Sequence, residues 1–371
     1  MSTLNEPMQT SSSEDKESEG EETFSLTSMS ISGRSLLGLE SSLFTQRNRK
    51  VYHPSLPDDC ATSVDESFSF VIGADTQLGM LNCCKDWDAE LETSRKAVAA
   101  INALEERPAF VSMCGDIADM EPNAYMGQKR GEQYCVEIQK RQFDDFKDCW
   151  KDLHPDIALV CLCGNHDVGN APTVQSVDRF KSSFGDDYYA FWCKGCYCIC
   201  LNTNLYNDYS NAPELYKTQH AWLEQQLQFA STAGARRIFM FGHHPWFLFD
   251  EEEDEKEMTG YSPLWPGAEH PEAHVPDAYF IIKREERRKV LALCKRYKVD
   301  AAFAGHFHQN HISETSFGMA MIVTGPLTPV VLHSTAIDEA VKKNATAGPG
   351  FRVVKVDNSL DCGFSHHYEV I

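Results

Sequence analysis

The sequence predicts one α/β domain with two stacked mixed sheets. From residue 67 to residue 305, short apolar runs alternate with segments whose apolar residues follow a helical spacing. This alternation is typical of parallel strands joined by helices. From residue 319 onwards the chain alternates as antiparallel strands do. Strand–helix units followed by hairpins favour a mixed sheet arranged in two layers.

The individual elements follow from the periodicity of each segment. Apolar runs predict buried strands at 67–73, 108–114, 157–163, 237–242 and 299–305. Helical spacing predicts helices at 88–106, from 134 to about 153, and at 173–183, 218–232 and 283–297. Alternation predicts further strands at 319–324, 351–357 and 365–370, and residues 121–133 are expected to form a loop.

Fourteen cysteines raise the question of a metal-binding or disulfide-rich fold. The densest group is Cys193-Lys-Gly-Cys-Tyr-Cys-Ile-Cys200, which resembles a zinc knuckle at first sight. Two strands, 188–193 and 196–201, around a turn explain it better, because alternate cysteines then share one buried face. No second cysteine pair with zinc-ligand spacing follows. We therefore expect a hairpin with free thiols.

Composition limits the classes of partner. The chain has 371 residues, 42% of them hydrophobic, a formal net charge of −21 and a pI near 5.0. Such an acidic balance argues against a nucleic-acid-binding protein, which needs a basic face. No apolar run approaches the ~20 residues that cross a bilayer, and no signal peptide is visible. We expect a cytoplasmic monomer that binds neither nucleic acid nor membrane.

Composition also divides the chain. Residues 1–50 are rich in Ser, Thr and Glu, which predicts a disordered tail, because such a segment buries too little apolar surface to order itself. Residues 51–371 are expected to form a single domain whose first strand begins near Glu66. An acidic insertion at 250–278 interrupts this domain after the strand at 237–242.

Polar, chemically capable side chains follow five of the predicted strands. These residues are Asp75, Asp116, Asn165 with His166, His243, and His306 with His308. Each alone is more simply a turn former, a helix cap or a hydrogen-bonded histidine. Five such ends in one chain, most of them reached through a glycine, favour one shared site. The carboxyl ends of parallel strands commonly meet at a binding crevice.

The chemistry of these residues unites them. Carboxylate, imidazole and amide oxygen ligands suit manganese, zinc or iron. A carboxylate shared by two cations holds them ~3.5–4 Å apart, and such a pair clamps a phosphoryl group and activates a water for in-line attack. The leaving oxygen then needs a proton from a nearby acid such as His166.

The ordered motifs D-x-Q, G-D-x-x-D, G-N-H-D, G-H-H-P and G-H-x-H resemble those of the calcineurin-like metallophosphoesterase superfamily, over about residues 67–325. The resemblance implies a four-layer α/β/β/α sandwich and two divalent cations (Mn, Zn, Fe or Mg). The Gly-Ala-Asp-x-Gln start, Gly164–Asn170 and Phe184–Tyr189 further resemble a serine/threonine protein phosphatase of this superfamily. A phosphoprotein substrate is then expected.

The resemblance also implies a role for each residue. Asp116 would bridge both cations, Asp75 and His308 would complete one site, and Asn165, His243 and His306 would complete the other. His166 would be the proton donor, and Asp119 would orient its imidazole. Asp167 is expected to be a local cap.

The sequence departs from the superfamily pattern in three respects. Position 77 is commonly His, and Gln77 would ligate weakly or leave a coordination position to water. Met120 stands where protein phosphatases carry an arginine that clamps phosphate, so phosphate must be held by the metals, by His166 or by another group. His243 and His244 both could fill one ligand position. We choose His243, which follows Gly242 directly as in the motif.

Alternatives remain for the reaction and for the insertion. The same metal pair would serve a phosphodiesterase or nucleotide phosphohydrolase, and a scaffold without activity could keep the fold. The acidic insertion, which opens with residues 250–255, is either a solvated loop or a gate at the cleft mouth. A gate would disfavour polyanions and favour phosphosites beside basic residues.

Overall fold

The computed structural model describes residues 67–122, 129–337, 348–360 and 363–371. The predicted tail at 1–50 lies outside these residues. The strands are Phe68–Gly73 (β1), Phe110–Cys114 (β2), Ala158–Leu162 (β3), Tyr189–Cys193 (β4), Cys196–Cys200 (β5), Arg237–Phe241 (β6), Tyr261–Pro263 (β7), His274–Pro276 (β8), Ala301–Ala304 (β9), His311–Glu314 (β10), Ala320–Val323 (β11), Gly350–Val356 (β12) and Phe364–Val370 (β13).

Helices connect most of these strands. They are Asp88–Asn102 (α1), Glu132–Trp150 (α2), Asn165–Val168 (α3), Val174–Phe184 (α4), Asn204–Asn207 (α5), Pro213–Thr232 (α6) and Arg284–Tyr297 (α7), and a 3₁₀ turn covers Asp277–Phe280. Within the described ranges, no helix is both long and apolar enough to cross a membrane.

All of these strands except β7 and β8, which pair with each other, form two mixed sheets, as the sequence predicts. The first sheet has the order β13-β12-β1-β2-β3, with β1, β2 and β3 parallel. The second has the order β10-β11-β9-β6-β5-β4, with β5, β6, β9 and β11 parallel. Helices α1, α2 and α4 pack on the first sheet, and α6 and α7 pack on the second. The four-layer α/β/β/α sandwich is confirmed.

A phenylalanine cluster fills the space between the two sheets. The Phe70 ring on β1 stacks on Phe110 at 4.8 Å between centroids. It also meets Phe239, Phe241 and Phe303 of the second sheet at 5.6, 5.9 and 5.6 Å. These contacts join the sheets face to face, so the carboxyl ends of β1, β2, β6 and β9 are held in fixed relative positions.

The cysteine hairpin forms as predicted. Strands β4 and β5 pair antiparallel, with Cys193 opposite Cys196. Cys196, Cys198 and Cys200 are all buried in the cluster between the sheets. The cysteines of β5 therefore act as small apolar residues of the core.

Some elements differ from the prediction. Helix α6 begins at Pro213 rather than 218, because proline at the first helical position already has a helical φ and needs no N–H partner. The sequence does not predict strand β10, because this segment carries a single strongly apolar residue and forms a strand by pairing with β11. The acidic insertion contains the hairpin β7–β8.

Replacing Phe70 by alanine tests the inter-sheet cluster. Because the Phe70 ring is fully buried, we expect Phe70→Ala to lower the free energy of unfolding by about 3–5 kcal/mol. Urea denaturation followed by circular dichroism measures this loss. Tyr134→Ala on α2 is the control, since Tyr134 is 47% exposed, and should change stability by no more than about 0.5 kcal/mol. Equal effects would contradict the role of the cluster.

Candidate metal and phosphate site

The predicted site residues meet where the carboxyl ends of both sheets come together. Asp75, Asp116, His306 and His308 have φ values of 52°, 50°, 66° and 53°, in the left-handed region that non-glycine residues rarely adopt. Each such conformation costs on the order of 1–3 kcal/mol and persists where surrounding structure imposes it. Four of them at one edge mark a functional site.

Two glycines make room for the carboxylates. A Cβ at Gly164 would overlap the Oδ1 atom and backbone nitrogen of Asp116. A Cβ at Gly305 would overlap the Oδ2 atom of Asp75. The glycines that precede the Asn-His and His-x-His motifs therefore allow the carboxylates of neighbouring strands to approach closely.

Backbone carbonyls determine which nitrogen of each histidine carries a proton. His243 Nδ1 lies 2.9 Å from the Cys114 carbonyl, and His306 Nε2 lies 3.3 Å from the Tyr279 carbonyl. A carbonyl only accepts hydrogen bonds, so both of these nitrogens must donate. The other nitrogens, His243 Nε2 and His306 Nδ1, then present lone pairs to each other at 3.0 Å.

Two oxygens join these nitrogens. The Asn165 amide donates to the Tyr279 hydroxyl at 3.1 Å, which turns its Oδ1 toward His243 Nε2 at 3.0 Å. Asp116 Oδ2 lies 3.3 Å from the same nitrogen. Four acceptor atoms thus converge. Among the described residues, Asp116, His243 and His306 each place a ligand atom close enough to the other two to hold one metal ion.

A divalent cation fits this set of acceptors. Burial disfavours a charged His243, but the carboxylates of Asp116 and Asp75 outweigh burial and raise the pKa of His243 to about 9. Burial lowers the pKa of His306 well below its usual range, so this imidazole stays neutral. One proton on His243 would satisfy a single neighbour, whereas a cation would satisfy all four acceptors.

A second group of acceptors lies beside the first. His308 Nδ1 donates to the Val330 carbonyl at 2.8 Å, so its Nε2 presents a lone pair 3.5 Å from Asp75 Oδ1. Gln77 is buried, and its Oε1 has no hydrogen-bond partner among the described residues. An orphaned buried oxygen of this kind is suited to a cation. Residues for a second cation are therefore present, with Gln77 as a neutral ligand candidate.

His166 lies next to Asp116. Its backbone N–H donates to Asp116 Oδ1 at 2.9 Å, and its side chain lines the cavity above the site. Burial disfavours the charged imidazole, but the carboxylates of Asp116 and Asp119 outweigh burial and raise the pKa of His166 to about 9. A protonated imidazole facing the cavity can donate a proton.

Asp119 contacts His166 in a different way from the expected one. His166 Nδ1 donates to the backbone carbonyl of Asp119 at 2.7 Å, and the carboxylate Oδ1 is farther away at 3.5 Å. The carboxylate instead accepts hydrogen bonds from the Cys84 thiol at 3.0 Å and from the Gln77 amide at 3.3 Å. The carbonyl of Asp119 orients the imidazole, and its carboxylate adds a longer-range charge.

Two neighbours of the predicted ligands have structural roles. Asp167 accepts hydrogen bonds from the backbone N–H groups of Gly164, Ile117 and Ala118, which ties the loops after β2 and β3 together. This agrees with its predicted local role. His244 Nδ1 lies 3.2 Å from the Thr203 hydroxyl, and His244 does not belong to the converging set.

Sequence reasoning missed two residues that hold the site. Tyr279 contributes its hydroxyl to Asn165 and its carbonyl to His306. The Gln139 amide on α2 donates to the carbonyls of His166, Asp167 and Met120, and so joins two catalytic loops. Tyr279 follows the insertion, where no pattern indicates its position. The sequence offers one indication for Gln139, which is that an uncharged polar residue occupies the buried face of a helix.

Of the two alternatives for the acidic residues 250–255, a solvated loop or a gate, the gate does not fit the structure. Glu252 accepts a hydrogen bond from Arg288 Nε at 2.8 Å, and Asp254 pairs with Arg284 at 2.8 Å, so they are tied to α7. None of them lines the cavity above the site. The insertion reaches this cavity through residues 264–276 instead.

Comparison with known proteins is decisive for the family. The family described as calcineurin-like phosphoesterase matches residues 68–310, which is more than half of the chain. The chain belongs to the calcineurin-like phosphoesterase family. The resemblance carried by the strand-end motifs is thus confirmed. The protein is a phosphoesterase, and members of the family generally bind divalent metals.

Individual relatives agree with this assignment. A Danio rerio protein named serine/threonine-protein phosphatase CPPED1 is 31% identical over 283 residues, covering 74% of this chain and 80% of the relative. The Homo sapiens protein of that name is 31% identical over 252 residues, covering 66% of this chain and 70% of the relative. The purple acid phosphatase PPD1 of yellow lupin superposes with a TM-score of 0.50 at 12% identity, over 79% of this chain and 50% of that chain. This last likeness shows the fold alone.

Two adjacent histidines allow a matched test of the converging acceptors. We expect His243→Ala to weaken cation binding about tenfold or more, because it removes the nitrogen that faces the three other acceptors. His244→Ala should retain the wild-type affinity. Dialysis against Mn²⁺ followed by mass spectrometry of bound metal measures both, with circular dichroism to verify folding. Equal losses in the two variants would contradict the assignment.

Proposed function

We propose that this phosphoesterase is a protein serine/threonine phosphatase that removes phosphate from phosphoserine and phosphothreonine with two divalent cations. One observation carries the proposal: the acceptor atoms of Asp116, Asn165, His243 and His306 converge, and Asp116 and His306 line the same cavity as His166. The substrate class is supported by the name of the relatives, serine/threonine-protein phosphatase, at 31–32% identity.

Each residue has a role that follows from its contacts. At such sites, divalent cations stabilise charge on the phosphoryl group and lower the pKa of the attacking water. Asp116 belongs to the first group of acceptors, and the family resemblance implies that it would serve both groups. The Asp119 carbonyl holds His166 Nδ1 as the donor, which leaves Nε2 to give its proton to the departing seryl or threonyl oxygen.

The cavity also bears on the substrate. It has a volume of about 560 Å³ and is open to solvent, so it accommodates a side chain with flanking peptide. Met120, which stands in place of the arginine of related phosphatases, is buried in its wall. The described lining includes no Lys or Arg. Such a lining favours a phosphomonoester over a nucleotide polyphosphate, whose extra charges it leaves unpaired.

Removal of the donor imidazole tests the mechanism. His166→Ala should lower kcat for phosphopeptides at least ~10²-fold while still binding metal, as expected for loss of a general acid. Steady-state kinetics and metal analysis of the same samples provide the measurement. His367→Ala is the matched control, because its side chain is 62% exposed on β13. Full activity in His166→Ala would refute the assignment.

Removing and restoring metal tests the reaction class. Chelator-stripped protein should lose activity and regain it when Mn, Mg, Zn or Fe is restored singly, assayed on p-nitrophenyl phosphate and phosphoserine peptides. We expect phosphopeptides to be hydrolysed faster than a cyclic nucleotide. The reverse order would favour a phosphodiesterase, and no hydrolysis with any metal would favour a scaffold.

A further inference from the structure

The cavity above the site has an apolar wall that the phosphoester reaction itself does not require. This wall consists of Met80 and the hairpin residues Leu264, Trp265, Val275 and Pro276. We propose that the apolar wall binds an apolar side chain adjacent to the phosphorylated residue of the substrate. The enzyme then selects phosphosites with an apolar neighbour over those with an acidic neighbour. This inference rests on the proposed function.

The wall and the phosphate site belong to one continuous cavity. Asp116, His166, His306 and His308 line the same space as the apolar wall. A phosphate group fills only a small part of about 560 Å³. When the phosphate lies against the metal and donor residues, the rest of the cavity, which the apolar wall borders, is left for the adjoining parts of the substrate.

The charges of the cavity exclude an acidic neighbour. Besides the site residues, its described lining carries the carboxylates of Asp119, Glu121 and Glu269 but no Lys or Arg. Glu269 forms an ion pair with Lys129. This lysine is thus already paired, and a carboxylate next to the phosphorylated residue would lose water without gaining an unpaired Lys or Arg from the described lining, whereas an apolar side chain would gain by burial.

The wall is already formed in the free protein. Trp265 Nε1 donates to the Leu81 carbonyl at 3.3 Å, and the Cys83 thiol donates to the Gly267 carbonyl at 3.5 Å. These bonds anchor the tip of the hairpin to the loop that follows Gln77. Because the hairpin is held in place, binding does not have to order it, and its apolar surface contributes directly to affinity.

Matched phosphoserine peptides test the preference. One peptide carries Leu on each side of phosphoserine and the other carries Asp at both positions, with all else identical. The metal-loaded wild-type protein should show a kcat/KM at least about tenfold higher for the Leu peptide. Trp265→Ala should reduce this ratio markedly, and Trp265→Phe should preserve most of it.

A gain-of-function variant distinguishes a change in peptide preference from damage to the fold. Ala268 lines the cavity, so Ala268→Lys supplies the missing cation and should raise kcat/KM for the Asp peptide relative to the Leu peptide. Ala273→Lys is the matched control, because Ala273 is exposed on the same hairpin and does not line the cavity. It should leave the ratio at its wild-type value.

The outcomes distinguish this inference from the function on which it rests. Equal kcat/KM for the two peptides in wild type, or a ratio unchanged by Trp265→Ala and Ala268→Lys, overturns the apolar-wall proposal and leaves the phosphatase proposal standing. Hydrolysis of p-nitrophenyl phosphate with neither peptide cleaved overturns both. A Leu preference that Ala268→Lys weakens and Ala273→Lys does not change supports the proposal.

Discussion

The site depends on one constraint, which is that four acceptor atoms face one another and a single proton on His243 cannot satisfy them all. The N–H groups of His243, His306 and Asn165 are all turned outward, to the Cys114 carbonyl and to Tyr279. Their lone pairs then converge. In a buried environment such an arrangement is costly unless a cation is present. The hydrogen bonds to Cys114 and Tyr279 therefore orient the acceptor atoms in the way that a metal ion would require.

The stability of this arrangement comes from elsewhere in the fold. Left-handed residues and facing lone pairs destabilise the strand ends, and the inter-sheet phenylalanines compensate for them. Phe70 contacts three rings of the second sheet, so it fixes β1 relative to β6 and β9. The candidate metal ligands come from both sheets. A relative shift of the two sheets would therefore separate Asp75 from His306 and disrupt the site.

The sequence predicts what is local. Asp75, Asp116 and His243 follow apolar runs directly, so a strand end and a polar side chain are visible together. Long-range features could not be predicted in the same way. The hairpin over the cavity lacks periodicity. The sequence leaves the acidic residues before it open between a solvated loop and a gate, because their arginine partners lie on a distant helix, α7. The hydrogen bond from His166 to the Asp119 carbonyl could not be predicted either, because every residue has a backbone carbonyl.

The departure at position 77 then gains a physical meaning. An amide carries a donor and an acceptor at once, and Gln77 uses the donor on the Asp119 carboxylate while its oxygen stays unpaired among the described residues. A histidine that ligates a metal through one nitrogen has a single N–H in a fixed direction. If its oxygen held a cation beside Asp75, Gln77 would link that cation to the Asp119 carboxylate, in the loop whose carbonyl positions His166. The hydrogen bond from the amide to Asp119 is the connection that a weaker neutral ligand would bring with it.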